Sequence, residues 1–122
     1  MNRTVLCIED DPINIDLMRQ LLHRRSGTVV HQASTAEDGI EAARTEQPAL
    51  ILLDNRLPDA TGREVLRRLA SSPTTATIPV VVISGDSGRE AVAELLASGA
   101  SGFLSKPFDI RQFMTVVEQY LA

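Results

Sequence analysis

Three runs of four apolar residues, Val5 to Ile8, Leu50 to Leu53 and Val80 to Ile83, carry no polar alternation and end in Glu9, Asp54 and Ser84. A strand with one wet face alternates, so unbroken runs of this length suit parallel strands covered on both sides. Two weaker stretches, Thr28 to Ala33 and Gly102 to Leu104, are more polar or shorter, as the edges of such a sheet should be. Five strands are expected.

Helical periodicity fills the gaps. Asp11-Pro12 offers an N-cap followed by Pro at the first helical position, and Ile13, Leu17, Leu21, Met18 and Leu22 fall at helical spacing, predicting a helix from Pro12 to Arg25 ended by Gly27. Thr35-x-x-Asp38, Thr61-x-x-Glu64, Ser87-x-x-Glu90 and Asp109-x-x-Gln112 resemble capping boxes and start four more helices. Their apolar faces are Val65, Leu66 and Leu69; Val92, Leu95 and Leu96; and Phe113, Val116, Val117 and Tyr120, with stops at Gln47-Pro48 and Gly99. Five strand–helix units with right-handed crossovers predict an α/β fold, a flavodoxin-like (βα)5 doubly wound parallel sheet of order 2-1-3-4-5. Residues 1–122 have the length of a single domain, with no repeat or linker.

Composition excludes several functions. No stretch approaches the ~20 apolar residues that span a bilayer, and Met1-Asn2-Arg3-Thr4 leads into a short apolar run without a cleavage pattern. The chain reads as cytoplasmic, without membrane contact. Net charge is −4 with scattered basic residues, which argues against nucleic-acid binding. Cys7 is the only cysteine and lies inside the first apolar run, where a buried, inert thiol is expected. His23 and His31 lack ligand spacing and read as surface residues.

Ligands bind an open parallel sheet beyond the carboxyl ends of its strands, where strand order reverses. Here those ends carry Glu9-Asp10-Asp11, Asp54, Ser84 and, after the fifth strand, Ser105-Lys106-Pro107. Taken singly, Asp11 is a helix cap, Asp54 a turn former and Ser84 ordinary turn chemistry. Lys106 stands out, because the other eleven of the twelve basic residues are Arg. Jointly, several carboxylates at one edge repel unless a cation sits among them. Oxygen-only ligands suit a hard divalent ion, Mg²⁺ above all. A carboxylate, Mg²⁺, a hydroxyl and an ammonium fit phosphoryl transfer, with Asp54 as nucleophile and Lys106, Ser84 and the ion on the phosphoryl oxygens.

The run Val5 to Asp11, the stretch Leu52 to Gly62 with its Leu57-Pro58, then Val82-Ile83-Ser84-Gly85, then Lys106-Pro107-Phe108 together resemble receiver domains of bacterial two-component response regulators, over essentially the whole chain. The opening Glu9 to Asn14 is similar to receivers attached to hybrid sensor histidine kinases. The resemblance implies Glu9 and Asp10 as the acidic pair, Asp54 as phosphoacceptor, the Arg56 main-chain carbonyl in the metal shell, Lys106 as phosphoryl-binding lysine before a cis Pro107, and Ser84 and Phe103 as switch residues. It implies a phosphodonor partner, a histidine kinase or histidine phosphotransfer protein, and a partner or second copy docked on the face of the last two helices, which allows a homodimer. Three departures stand out: Glu9 where Asp is commoner, implying a water-bridged metal contact; Gly85 where Ala is usual; and the charges of Arg56 and Asp86 beside the site, which bear on phosphoryl lifetime.

Two other classes compete. A haloacid-dehalogenase-like phosphohydrolase also combines an Asp nucleophile, Mg²⁺ and Lys, but carries D-x-D after its first strand, where this chain has Glu9-Asp10-Asp11, and no cap insertion is seen. A degenerate receiver serving as a scaffold is disfavoured because the required side chains are present. The expectation is therefore a phosphoacceptor rather than a turnover enzyme.

Overall fold

Each apolar run becomes a strand, and each capped periodic segment a helix. The computed structural model describes residues 2–121, in the order β1 (Thr4–Ile8), α1 (Pro12–Leu22), β2 (Val29–Ala33), α2 (Ala36–Glu46), β3 (Leu50–Asp54), α3 (Gly62–Ala70), β4 (Val80–Ser84), α4 (Arg89–Ala97), β5 (Gly102–Ser105) and α5 (Ile110–Tyr120). The strands form one parallel sheet of order β2-β1-β3-β4-β5. The weak runs are the edges, and β1, β3 and β4 are inside, as their unbroken apolarity requires.

Alternate residues of these strands feed two cores. Leu6, Ile8, Ile51, Leu53, Val80 and Val82 pack with residues of α2, α3 and α4, whereas Val5, Cys7, Leu50, Leu52, Val81 and Ile83 pack with α1 and α5. Helix α2 lies so close to the sheet that a Cβ on Gly39 would stand 2.6 Å from the Ile8 Cδ1 atom. Burial pushes the Cys7 thiol up to about 12, so it is inert at neutral pH. Among the described residues no helix is long and apolar enough to cross a membrane.

Four expected caps form: Asp11 accepts from Ile13 N at 2.9 Å, Thr35 from Asp38 N at 3.1 Å, Thr61 from Glu64 N at 3.3 Å and Asp109 from Gln112 N at 2.7 Å. The fifth does not. Asp86 Oδ1 accepts from Gly88 N at 3.0 Å, folding the chain into a turn where Ser87 was expected to cap. Helix α4 therefore starts at Arg89 behind Gly88, with no side-chain cap. Its packing is also thinner than its periodicity implies, since Leu95 is buried but Leu96 is exposed. Helix α1 likewise stops at Leu22, because Arg24 N and Arg25 N bond to Leu21 O and Leu22 O in tightened turns before Gly27 reverses the chain at φ 82°. Ile13, on the expected apolar face of α1, is 77% exposed.

Candidate functional site

Parallel register brings the strand ends together. Ile8 pairs with Leu53, Asp54 with Ile83, and Ser84 with Ser105, so residues just past β1, β3, β4 and β5 share one edge. The Lys106–Pro107 peptide is cis. Lys106 Nζ donates to Asp54 Oδ1 at 3.0 Å and to Glu9 Oε1 at 3.2 Å, joining side chains far apart in the chain. Asp54 and Glu9 are buried. Asp10 is exposed at the rim, yet one carboxylate oxygen from each of Glu9, Asp10 and Asp54 can lie within 4.8 Å of the others.

The electrostatics follow from that crowding. Burial, then the neighbouring Asp54 carboxyl, pushes Glu9 up to about 7, against the bonds it accepts from Asp11 N and Lys106. Burial alone would lower Lys106, but its bonds to Asp54 and Glu9 outweigh this and hold it above its usual range. A further cation would relieve the repulsion. The donor set contains no His or Cys, and three carboxylates with an open rim fit a hard divalent ion that keeps part of its water shell.

Ser84 and Asp86 line a cleft of about 280 Å³ with Asp54, Asn55, Arg56, Gly85 and Lys106. Arg56 sits in a tight reversal: its main chain bridges to Thr61, Leu57 N donates to Ala60 O at 3.1 Å, and Gly62 N to Asn55 O at 2.9 Å. Asp59 ties this reversal to the start of α2, accepting from Ala36 N at 2.8 Å and Glu37 N at 3.1 Å, and these bonds hold its carboxyl below the usual range. Phe103 lies outside the cleft, half-buried against the core face that includes Val82 and Leu95, and lines a groove with Arg111, Gln112 and Val116. His23 is exposed, and His31 Nε2 lies 3.4 Å from Glu46, both remote from the edge.

Two polar residues at the edge have no role in the expected site. Asn14, in the first turn of α1, donates to Glu9 Oε1 at 3.3 Å, and Asn55 donates to Ser84 Oγ at 3.3 Å. The only sequence signal for either is an amide adjacent to an acidic strand end, which turn chemistry explains equally well.

A doubly wound sheet whose switch-point edge holds a lysine-clamped aspartate beside an acidic pair defines a phosphoacceptor module. The chain belongs to the response regulator receiver domain family, whose sequence profile matches residues 5–118. It is 27% identical over 121 residues to the polar-differentiation response regulator DivK of Brucella ovis, covering 99% of this chain and 98% of that one. Among solved structures it is similar to the receiver domain of a sensor histidine kinase from Pseudomonas aeruginosa (TM-score 0.88, 20% identity, 99% and 98% coverage) and to the phosphorylated cyanobacterial phytochrome response regulator RcpA (TM-score 0.80, 26% identity, 98% and 91% coverage). The protein is a module of phosphorelay signal transduction, and the phosphohydrolase alternative finds no support.

Proposed function

We propose that residues 1–122 act as one receiver domain that accepts a phosphoryl group on Asp54 from a phosphohistidine donor. The observation that carries this is the Lys106 ammonium, 3.0 Å from a buried aspartate at the switch point. In the transfer, the P–N bond of the donor breaks as an O–P bond to Asp54 forms, and the imidazole leaves. Lys106 and Arg56 N, 3.4 Å from Asp54 Oδ1, hold the carboxylate in one orientation, and Lys106 is placed to neutralise a phosphoryl oxygen. Glu9, Asp10, Asp54 and the Arg56 main-chain carbonyl are the residues that would hold Mg²⁺, Glu9 through water; the ion supplies charge neutralisation at the phosphoryl oxygens. The Pseudomonas receiver carries Mg²⁺ in its active-site cleft, which supports the reading.

Ser84 donates to the phosphoryl group, Phe103 follows it, and Arg56 and Asp86 modulate access of water. Receiver domains interact with histidine kinases or phosphotransfer proteins. Exposed Leu17 lines a hollow with Asn14, Lys106, Pro107 and Phe108, a largely apolar rim over which such a donor can approach. The output face is that of α4, β5 and α5, where a partner or second copy docks, and the setting is cytoplasmic. The domain assists its own phosphorylation and dephosphorylation and turns over no separate substrate.

Acetyl phosphate with Mg²⁺ should add one hydroxylamine-labile phosphoryl group. Asp54→Asn should abolish the labelling, and Asp10→Asn should weaken Mg²⁺ binding markedly. Full labelling of the Asp54→Asn variant would refute the assignment.

A further inference from the structure

We propose that Asn55 is a positioning residue that latches the Ser84 hydroxyl in the unphosphorylated protein, so that capturing a phosphoryl group requires breaking the Asn55–Ser84 bond. The inference rests on the reading of Ser84 as a donor to the phosphoryl group. Ser84 Oγ accepts from Asn55 Nδ2 at 3.3 Å and from Asp86 N at 3.1 Å, which engages both lone pairs. The two donors differ in what they are attached to. Asp86 lies two residues past Ser84, in the exposed loop 85–88 that follows the buried end of β4, and can shift with that loop. Asn55 is held by main-chain bonds to the sheet and to the start of α3, outside that loop: its N donates to Ile83 O at 3.0 Å and its O accepts from Gly62 N at 2.9 Å.

Its side chain is boxed in as well. Asn55 Oδ1 stands 2.6 Å from where a Cβ on Gly62 would be, so the amide occupies space that only glycine at 62 leaves free. A hydroxyl moving toward Asp54 therefore keeps the Asp86 bond and loses the Asn55 bond. The competent arrangement is less populated by that amount, and apparent affinity for a phosphoryl mimic falls with it.

The test is beryllofluoride affinity in the presence of Mg²⁺ for the parent, Asn55→Ala, Asn55→Leu, Ser84→Ala and the Asn55→Ala/Ser84→Ala pair. Leu keeps the bulk over Gly62 should Ala perturb packing. Removing one ordinary hydrogen bond should tighten binding about two- to tenfold in both Asn55 variants. The gain should vanish in the Ser84→Ala background, because the latch acts through that hydroxyl. Unchanged or weaker binding in the Asn55 variants, with Ser84→Ala still impaired, overturns the latch alone; a gain that persists without the hydroxyl does the same. Parent-like binding by Ser84→Ala instead overturns the role of Ser84 itself. An independent readout needs no mimic: the Asn55 side-chain amide protons of the metal-free protein should shift between parent and Ser84→Ala, and coincident resonances would overturn the contact.

Discussion

Lys106 Nζ lies 3.0 Å from Asp54 Oδ1, and the same ammonium reaches Glu9 Oε1 at 3.2 Å. One cation thus holds two buried carboxylates that would otherwise face each other across the sheet edge. Removing it should hurt twice, by taking a positive group from the phosphoryl oxygens and by leaving like charges unpaired. Lys106→Met is expected to slow labelling by acetyl phosphate on the order of 10²- to 10³-fold while the domain still binds Mg²⁺. Labelling time courses with radioactive phosphodonor check this, and a parent-like rate would remove Lys106 from the chemistry.

Glu9 makes the metal-free domain pH-sensitive. Its carboxyl titrates near 7 when folded, against an ordinary value of 4.5, because burial and the nearby Asp54 disfavour the charge. The folded state then binds more protons than the unfolded chain between those values, so stability falls as pH rises through the window. Thermal melts in chelator should show the midpoint declining from about pH 5 to pH 7.5, and Mg²⁺ should reverse the decline by compensating the carboxylates. Glu9→Gln should flatten the profile; a flat parent profile contradicts the account.

Packing between α2 and the sheet should be intolerant at Gly39. A methyl there meets Ile8 Cδ1 at 2.6 Å and Cγ1 and Cγ2 at 2.9 Å, all in a fully buried side chain. Gly39→Ala should destabilise by about 1–3 kcal/mol through overpacking. Adding Ile8→Val, which deletes Cδ1, should recover part of the loss, a coupling that urea midpoints of the single and double variants can measure.

Phosphorylation should reach Phe103 although the ring is outside the cleft. Phe103 pairs with Val82 in the sheet register, and Ser84 is two residues further along the same strand. If the hydroxyl moves toward the phosphoryl group it vacates space beside the ring, which can then turn inward. NMR shifts for residues 85–115 should change on adding beryllofluoride and Mg²⁺. Changes confined to the loops at Asp10, Asp54 and Ser84 would leave Phe103 a static core residue.

Strand order, helix positions and the edge on which the chemistry gathers were legible in the residues themselves. Hydrophobic period and cap chemistry are local, and the parallel-sheet rules convert them into a topology with few alternatives. Thus Val5 to Ile8 could be read as an inner strand, and Glu9, Asp54, Ser84 and Lys106 as neighbours at one edge. Tertiary structure alone decided what each side chain touches. Ser87 has a capping box yet caps nothing, because the chain turns at Asp86–Gly88 and the helix starts one residue later, at Arg89 behind Gly88. Ile13 has helical spacing yet lies exposed, because the sheet covers another face of α1. Asn55 was one residue of a motif until folding set its amide against Ser84 Oγ, 29 positions away. The pairing of Lys106 with both Glu9 and Asp54 is of the same kind. Short-range physics selects the elements, but contacts between side chains tens of residues apart depend on register and packing that no local pattern encodes.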